Sequence, residues 1–174
     1  MGFQSPQFDF IDDRFLHRRI KTLAVVCTEE VQATLDDPLG PFAVAGILDP
    51  STGELLPGLR IVITDIDPGV GVVPNKVCNI FIITFQIVDS AGTVVLGPMS
   101  ATVSDAVPCP GAGLGPGQTV VQKHDIQVGF CLIPVDTDEN GIFDSFFITL
   151  HVEYCLVVAK ETILKVDAAT PFCP

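Results

Sequence analysis

The sequence has no tryptophan, only one tyrosine and few basic residues. Without a set of aromatic rings there is little on which nucleic-acid bases or sugars can stack. Nine Lys and Arg residues stand against 21 Asp and Glu, for a formal net charge of −12. Because proteins bind the polyanionic backbone of nucleic acids through Lys and Arg, we expect no nucleic-acid partner.

Long apolar segments are also missing. The longest apolar stretch, residues 80–88, is interrupted by Thr84 and Gln86 and is too short to cross a bilayer. The sequence therefore predicts no transmembrane segment. Residues 1–13 lack the basic start and apolar core of a secretory signal, so we expect an extracellular or surface protein whose leader has been removed or whose export uses another route.

Recognisable catalytic motifs are absent as well. His17, His124 and His151 are isolated, and no Ser-His-Asp order, Gly-x-Ser-x-Gly elbow or His-Glu-x-x-His motif occurs. His124 and Asp125 are either half of an acid–base pair or, more simply, a surface pair. The Gly-rich stretch 108–117 lacks the Gly-Lys-Ser/Thr of a phosphate-binding loop and is interpreted as a surface loop. We expect a protein that is not an enzyme.

Proline and glycine occur at short intervals along the chain and leave no segment long enough for a predicted helix. Between these residues lie β-branched runs that predict strands. This pattern predicts an all-β fold, an antiparallel β-sandwich or jelly roll. The predicted strands cover residues 19–35, 42–48, 59–66, 76–88, 93–103, 119–135 and 142–166.

The last predicted strand has the clearest pattern. Its even positions from Phe146 to Val158 are apolar, and polar residues such as Thr149 and Glu153 alternate with them. Period-two alternation indicates an antiparallel strand with one buried face. Residues 89–92 and 138–141 have the composition of hairpin turns, in the second case because Asn-Gly supplies positive φ angles.

The first eighteen residues predict an extended arm ahead of a sandwich domain at residues 19–174. The arm carries four phenylalanines, each of which would forgo about 1.5–3 kcal/mol of burial if left in water. We expect these side chains to contact another copy of the chain, where the arm would add a strand to a sheet edge. The alternative is that the arm folds over its own sandwich. The candidate subunit-contact residues are Phe3, Phe8, Phe10 and Phe15.

Six cysteines are scattered along the chain with no Cys-x-x-Cys pair, which disfavours zinc ribbons and thioredoxin-like sites. All six are candidates for disulfides, although some of them would equally suit a core as buried thiols. Cys109 would be presented to a partner by its Gly-rich loop, and Cys173 would bond to another subunit. The six candidates are Cys27, Cys78, Cys109, Cys131, Cys155 and Cys173.

One segment resembles a calcium loop. In residues 136–144, oxygen-bearing side chains occupy positions 1, 3, 5 and 9, and Gly occupies position 6. Position 12 is Phe147 instead of the usual Glu, and the flanking segments are predicted strands. Calcium is the one cofactor that the sequence suggests, and the alternative is a solvated hairpin tip. The candidate ligands are Asp136, Asp138, Asn140 and Asp144.

The Phe8-Asp9-Phe10 segment of the arm, the scattered single cysteines and the ending Pro171-Phe172-Cys173-Pro174 resemble the cysteine-containing β-rich spore-coat, spore-surface and appendage subunit proteins of spore-forming Firmicutes. The resemblance implies subunits joined by amino-terminal arms and stapled by disulfides. The arms of appendage subunits carry paired cysteines, whereas this chain has none before Cys27. Stapling would then use Cys27, Cys109 or Cys173.

Together these features favour a structural subunit that assembles with copies of itself into an extracellular or spore-surface filament or layer. The composition agrees with burial between subunits, because 48% of residues are hydrophobic and only 17% are charged. The competing hypothesis is a calcium-dependent binding or adhesion module.

Overall fold

The computed structural model describes the backbone of residues 17–167 and the side chains of residues 22–163. The all-β fold predicted from the sequence is confirmed. Among these residues no helix has the length and apolarity needed to cross a membrane. Seven strands follow one another along the chain: β1 (His17–Thr34), β2 (Leu39–Ala43), β3 (Arg60–Val73), β4 (Lys76–Val88), β5 (Val94–Pro108), β6 (Thr119–Val135) and β7 (Ser145–Asp167).

The strands form two antiparallel sheets. In the first sheet, β7 is central, with β6 along one edge and β1 followed by β2 along the other. In the second sheet, β4 lies between β3 and β5. The two sheets face each other across one apolar core, the arrangement of a β-sandwich.

The core is built from the inward faces of the two central strands. On β7, every even position from Phe146 to Val158 is buried, as the alternation predicted. On β4, every odd position from Val77 to Ile87 is buried. Each strand therefore turns a continuous row of side chains toward the other sheet. Paired aromatic rings join the sheets, Phe81 with Tyr154 at 4.9 Å between ring centres and Phe85 with Phe130 at 4.8 Å.

The structure differs from the predicted strands mainly at β2 and β3. β2 ends at Ala43, because residues 44–48 instead make a turn in which the Leu48 amide donates to the Val44 carbonyl. β3 continues beyond Ile66 to Val73 in spite of Pro68 and Gly69. Proline is tolerated there because β3 is an edge strand, and the outer edge needs no donor.

Candidate functional site

The acidic loop, residues 136–144, joins β6 to β7 and brings three of the four predicted calcium ligands together. One carboxylate oxygen from each of Asp136, Asp138 and Asp144 lies within 4.8 Å of the other two. Asp136 is half-buried and the other two are exposed. Clustered carboxylate oxygens are the ligands that calcium prefers, so the chemistry of the donor set fits that ion.

Much of the loop's hydrogen bonding is directed at its own carboxylates. Asp136 accepts the backbone N–H of Asn140 at 3.3 Å and that of Gly141 at 2.7 Å. Asp144 accepts both the amide, at 3.1 Å, and the hydroxyl, at 2.8 Å, of Thr137. The hydrogen bond from the Thr137 hydroxyl is the main cause that lowers the pKa of Asp144. The loop therefore holds its shape with Asp144 ionised.

The fourth predicted ligand, Asn140, is engaged within the loop. Its Nδ2 donates to Asp138 at 2.8 Å, and its Oδ1 accepts the backbone N–H of Ile142 at 2.8 Å. The expectation that Asn140 and Gly141 both supply positive φ is wrong for Asn140. The positive φ angles belong to Glu139, at 55°, and Gly141, at 86°. The Asn140 side chain therefore stabilises the turn and holds Asp138 in position.

The structure pairs two of the six cysteines. Cys27 on β1 and Cys109 after β5 form a disulfide, and Cys109 is completely buried. The expectation that the Gly-rich loop presents Cys109 to a partner is therefore wrong. That loop packs against the turn between β3 and β4, where the Asn75 side chain accepts the Gly111 amide at 2.9 Å.

The remaining cysteines of residues 17–167 are free thiols. Cys131 is exposed, and Cys78 and Cys155 are half-buried, so none of the three is the fully buried thiol of the alternative interpretation. All three side chains lie on outward faces, because each alternates with core residues of its strand. Cys173 lies outside the described residues.

The histidines are not brought together. His124 is exposed beside a β-bulge in β6, opposite Cys155. His151 pairs with Gly129 four residues further along the sheet, about 13 Å away at the usual rise of a strand. His151 Nε2 lies 3.8 Å from Glu153 on the polar face. The side chain of His17 lies outside the described residues.

Beyond the sandwich, β1 and β7 continue as a ribbon of residues 17–25 and 159–167, which is two-stranded over residues 17–23 and 161–167 because β6 pairs with β7 as far as Lys160. The outward face of this ribbon carries exposed aliphatic side chains beside Glu161, the cross-strand partner of Leu23. Leu23, Val25 and Ile163 are 52%, 65% and 60% exposed, and the register places them on the same side. We call these three residues the apolar ribbon face. Phe3, Phe8, Phe10 and Phe15 precede β1 and lie outside the described residues.

A cluster that the sequence predictions did not include lies between the sheets. It contains Asn79, Asp105, Lys123 and Tyr154, and we call it the interior polar cluster. Asp105 on β5 accepts the Tyr154 hydroxyl at 2.6 Å and Asn79 Nδ2 at 2.8 Å. Lys123 on β6 donates to the Gly69 carbonyl on β3, and its Nζ lies 4.9 Å from the centre of the Phe81 ring.

The protein interior changes the ionisation of this cluster. Burial lowers the pKa of Lys123, and the negative charge of Asp105 only partly opposes that shift. Burial, followed by the hydrogen bond to Asp105, raises the pKa of Tyr154. Asn79 is completely buried, and its Oδ1 is the one buried side-chain oxygen or nitrogen of the described residues without a hydrogen-bond partner.

The interior polar cluster had a sequence signal, although a weak one. Asn79 stands between the core residues Val77 and Phe81, so alternation alone turns it inward. Lys123 pairs with Leu156, a core residue, and therefore also faces inward. The register of β6 against β7, which fixes the direction of Lys123, is visible only in the structure because a bulge shifts it between His124 and Gln127.

Comparison of the chain with protein-family models, with curated proteins and with solved structures finds no match.

Proposed function

We propose that this chain is a non-enzymatic structural subunit that assembles with copies of itself into an extracellular or spore-surface filament or layer. The observation that carries the proposal is the apolar ribbon face. Three large aliphatic side chains, Leu23, Val25 and Ile163, are more than half exposed within one small surface. Large exposed aliphatic side chains grouped on one face are a feature of protein-binding sites.

The segment that suits this surface is the arm. It leads directly into β1, the strand that carries Leu23 and Val25, and it holds four phenylalanines. Phe8 and Phe10 are two residues apart, so in an extended conformation both side chains lie on one face. The arm of one copy packs these rings on the apolar ribbon face of the next copy, which removes both surfaces from water.

The ribbon also offers backbone groups for pairing. The Glu161 amide donates to the Gln118 carbonyl just before β6, and past Glu161 the strand β7 has β1 on one side and no residue of β6 on the other. An isolated two-stranded ribbon is marginally stable, and a further strand supplies the missing hydrogen bonds. An arm added as a strand therefore stabilises both its own copy and the one it joins.

Covalent stapling between copies has to use thiols other than those of the internal disulfide. Cys27 and Cys109 are already joined to each other, which leaves Cys131 as the exposed thiol among the described residues and Cys173 near the carboxyl end. A disulfide persists in oxidising surroundings. This supports the extracellular or spore-surface location in the proposal.

The arm and its receiving surface can be tested separately by negative-stain electron microscopy of purified protein. We expect the full-length chain to form polymers or large oligomers. Deletion of residues 2–15, which leaves all of β1 in place, should abolish them, and so should the double variant Leu23→Ser with Ile163→Ser. The matched control replaces Ile80 and Ile82, which are 44% and 42% exposed on the outer face of the other sheet.

If the control variant assembles and the ribbon variant does not, the contact between copies lies on the apolar ribbon face. If the full-length chain is a monomer in dilute solution, self-assembly is wrong. If the chain assembles but the deletion variant assembles equally well, the arm is not the connector.

A second candidate function, a calcium-dependent binding module, is favoured by the convergence of Asp136, Asp138 and Asp144. The test is isothermal titration calorimetry with calcium chloride, together with the melting temperature before and after chelation. Binding to the folded state alone must raise the melting temperature. Asp138 is the best residue to change, because Asp136 and Asp144 also hold the loop together.

The variant Asp138→Asn should remove the calcium-dependent rise in melting temperature, whereas Asp67→Asn on the edge strand β3 should keep it. Equal melting temperatures with calcium and with chelator in the unmodified protein would rule out this second function.

A further inference from the structure

The interior polar cluster places a lysine amine, a carboxamide and a carboxylate in one region between the sheets, where Asp105 and Lys123 are half-buried. Asn79 extends from β4, Asp105 from β5 and Lys123 from β6. Asn79 is completely buried, and Phe81 packs beside the cluster with its ring 4.9 Å from that of Tyr154. Groups of this chemistry are seldom buried in a core without a partner for every polar atom, yet Asn79 Oδ1 has none.

We propose that Lys123 and Asn79 join in an intramolecular amide cross-link that ties β6 to β4. Lys123 Nζ already reaches the Gly69 carbonyl. Gly69 is followed directly by Val70, the cross-strand partner of Asn79. Nζ also lies 4.9 Å from the centre of the Phe81 ring, and Phe81 is two residues from Asn79 on the same inward face of β4.

The step is a substitution at a carboxamide. The neutral amine of Lys123 attacks Cγ of Asn79, the Nζ–Cγ bond forms and the Cγ–Nδ2 bond breaks. One proton leaves Nζ, passes through the carboxyl group of Asp105 and is delivered to Nδ2, which departs as ammonia. The atoms and charges balance without an oxidant, a reductant or another reactant.

Each neighbour suits its part in this reaction. Asp105 Oδ1 accepts Asn79 Nδ2 at 2.8 Å, which puts the carboxyl group against the leaving nitrogen. The Tyr154 hydroxyl donates to the other oxygen of Asp105 at 2.6 Å and fixes its orientation. Burial lowers the pKa of Lys123 and so increases the fraction of the nucleophilic, uncharged amine.

The decisive experiment is the intact mass of the full-length protein after denaturation, reduction and alkylation. We expect a mass lower by one ammonia molecule than that calculated for the sequence with its six cysteines alkylated. No Lys or Arg lies between Lys76 and Lys123, and a modified Lys123 resists trypsin, so the digest should contain the peptide 77–160 with the same deficit. Cleavage on the amino side of aspartates should instead release peptides 67–88 and 105–124 joined to each other.

Matched variants separate this bond from another source of ammonia loss. Asn140-Gly141 in the acidic loop forms a cyclic imide with the same change in mass. The variant Asn140→Gln should keep the deficit, whereas Asn79→Ala and Lys123→Arg should abolish it. Asp105→Ala should leave most of the chain at full mass.

An unmodified chain that keeps its full mass after prolonged incubation in the folded state would overturn the proposal. So would a deficit that maps to Asn140. Both outcomes are read from the unmodified protein, so the conclusion stands even where a variant fails to fold.

Discussion

The two open sides of the sandwich are closed in different ways. Between β1 and β5, the Cys27–Cys109 disulfide joins the sheets covalently. Between β3 and β6, Lys123 joins them through a hydrogen bond to the Gly69 carbonyl. Both closures lie toward the end of the sandwich from which the ribbon extends, since Cys27 pairs with Val158 and Lys123 with Leu156.

The two sides of the sandwich differ in their sensitivity to reductant. A disulfide opens in a reducing environment, whereas a hydrogen bond or an amide is unaffected by reductant. If the proposed amide forms, both sides are covalent and only one is reducible. A chain that is reduced but still tied at β4 and β6 then keeps its sheets connected.

The largest effect is expected on the disulfide side. The variant Cys27→Ala with Cys109→Ala opens a loop with a sequence separation of 82 residues and should lower the free energy of unfolding by about 2–5 kcal/mol. Denaturant melts of the oxidised protein give this value. The control variant replaces the free thiols Cys78, Cys131 and Cys155, and a loss as large in that control would contradict the assignment of the pair.

A smaller effect is expected on the opposite side. The variant Tyr154→Phe keeps the ring packed against Phe81 and removes only the hydroxyl that donates to Asp105. A hydrogen bond to a charged group contributes about 1.5–3 kcal/mol, so we expect a loss in that range by denaturant melts. An unchanged free energy of unfolding would show that Asp105 finds an equal partner elsewhere.

Much of the fold could be predicted because local patterns agree with it. The alternation from Phe146 to Val158 located the core face of β7, and the turn at residues 89–92 located the β4–β5 hairpin, where Asp89 accepts the amides of Ala91 and Thr93. β2 was misplaced because residues 44–48 are as apolar as a strand but satisfy their backbone groups in a turn.

The candidate sites were less predictable because they depend on register. The acidic loop is continuous in sequence, so its three converging carboxylates could be named in advance. The disulfide between Cys27 and Cys109 joins residues of different sheets. The interior polar cluster, which includes Lys123, does the same. No local signal reports which strands face each other, and a β-bulge changes the face of every later residue.

The smallest expected effect concerns alkaline pH and again tests the side that lacks a disulfide. Tyr154 has its pKa raised above the usual 10.0 in the folded chain, first by burial and then by Asp105. Above pH 10 the unfolded chain therefore releases this proton while the folded chain retains it, and stability that is complete below pH 10 declines as the pH rises. The free energy of unfolding of the unmodified protein minus that of Tyr154→Phe should fall by less than about 1 kcal/mol between pH 9 and 10.5. Taking this difference cancels the titration of groups common to both proteins, including Lys123. A difference in the free energy of unfolding that is constant with pH would mean that Tyr154 ionises as readily in the folded chain as in the unfolded one.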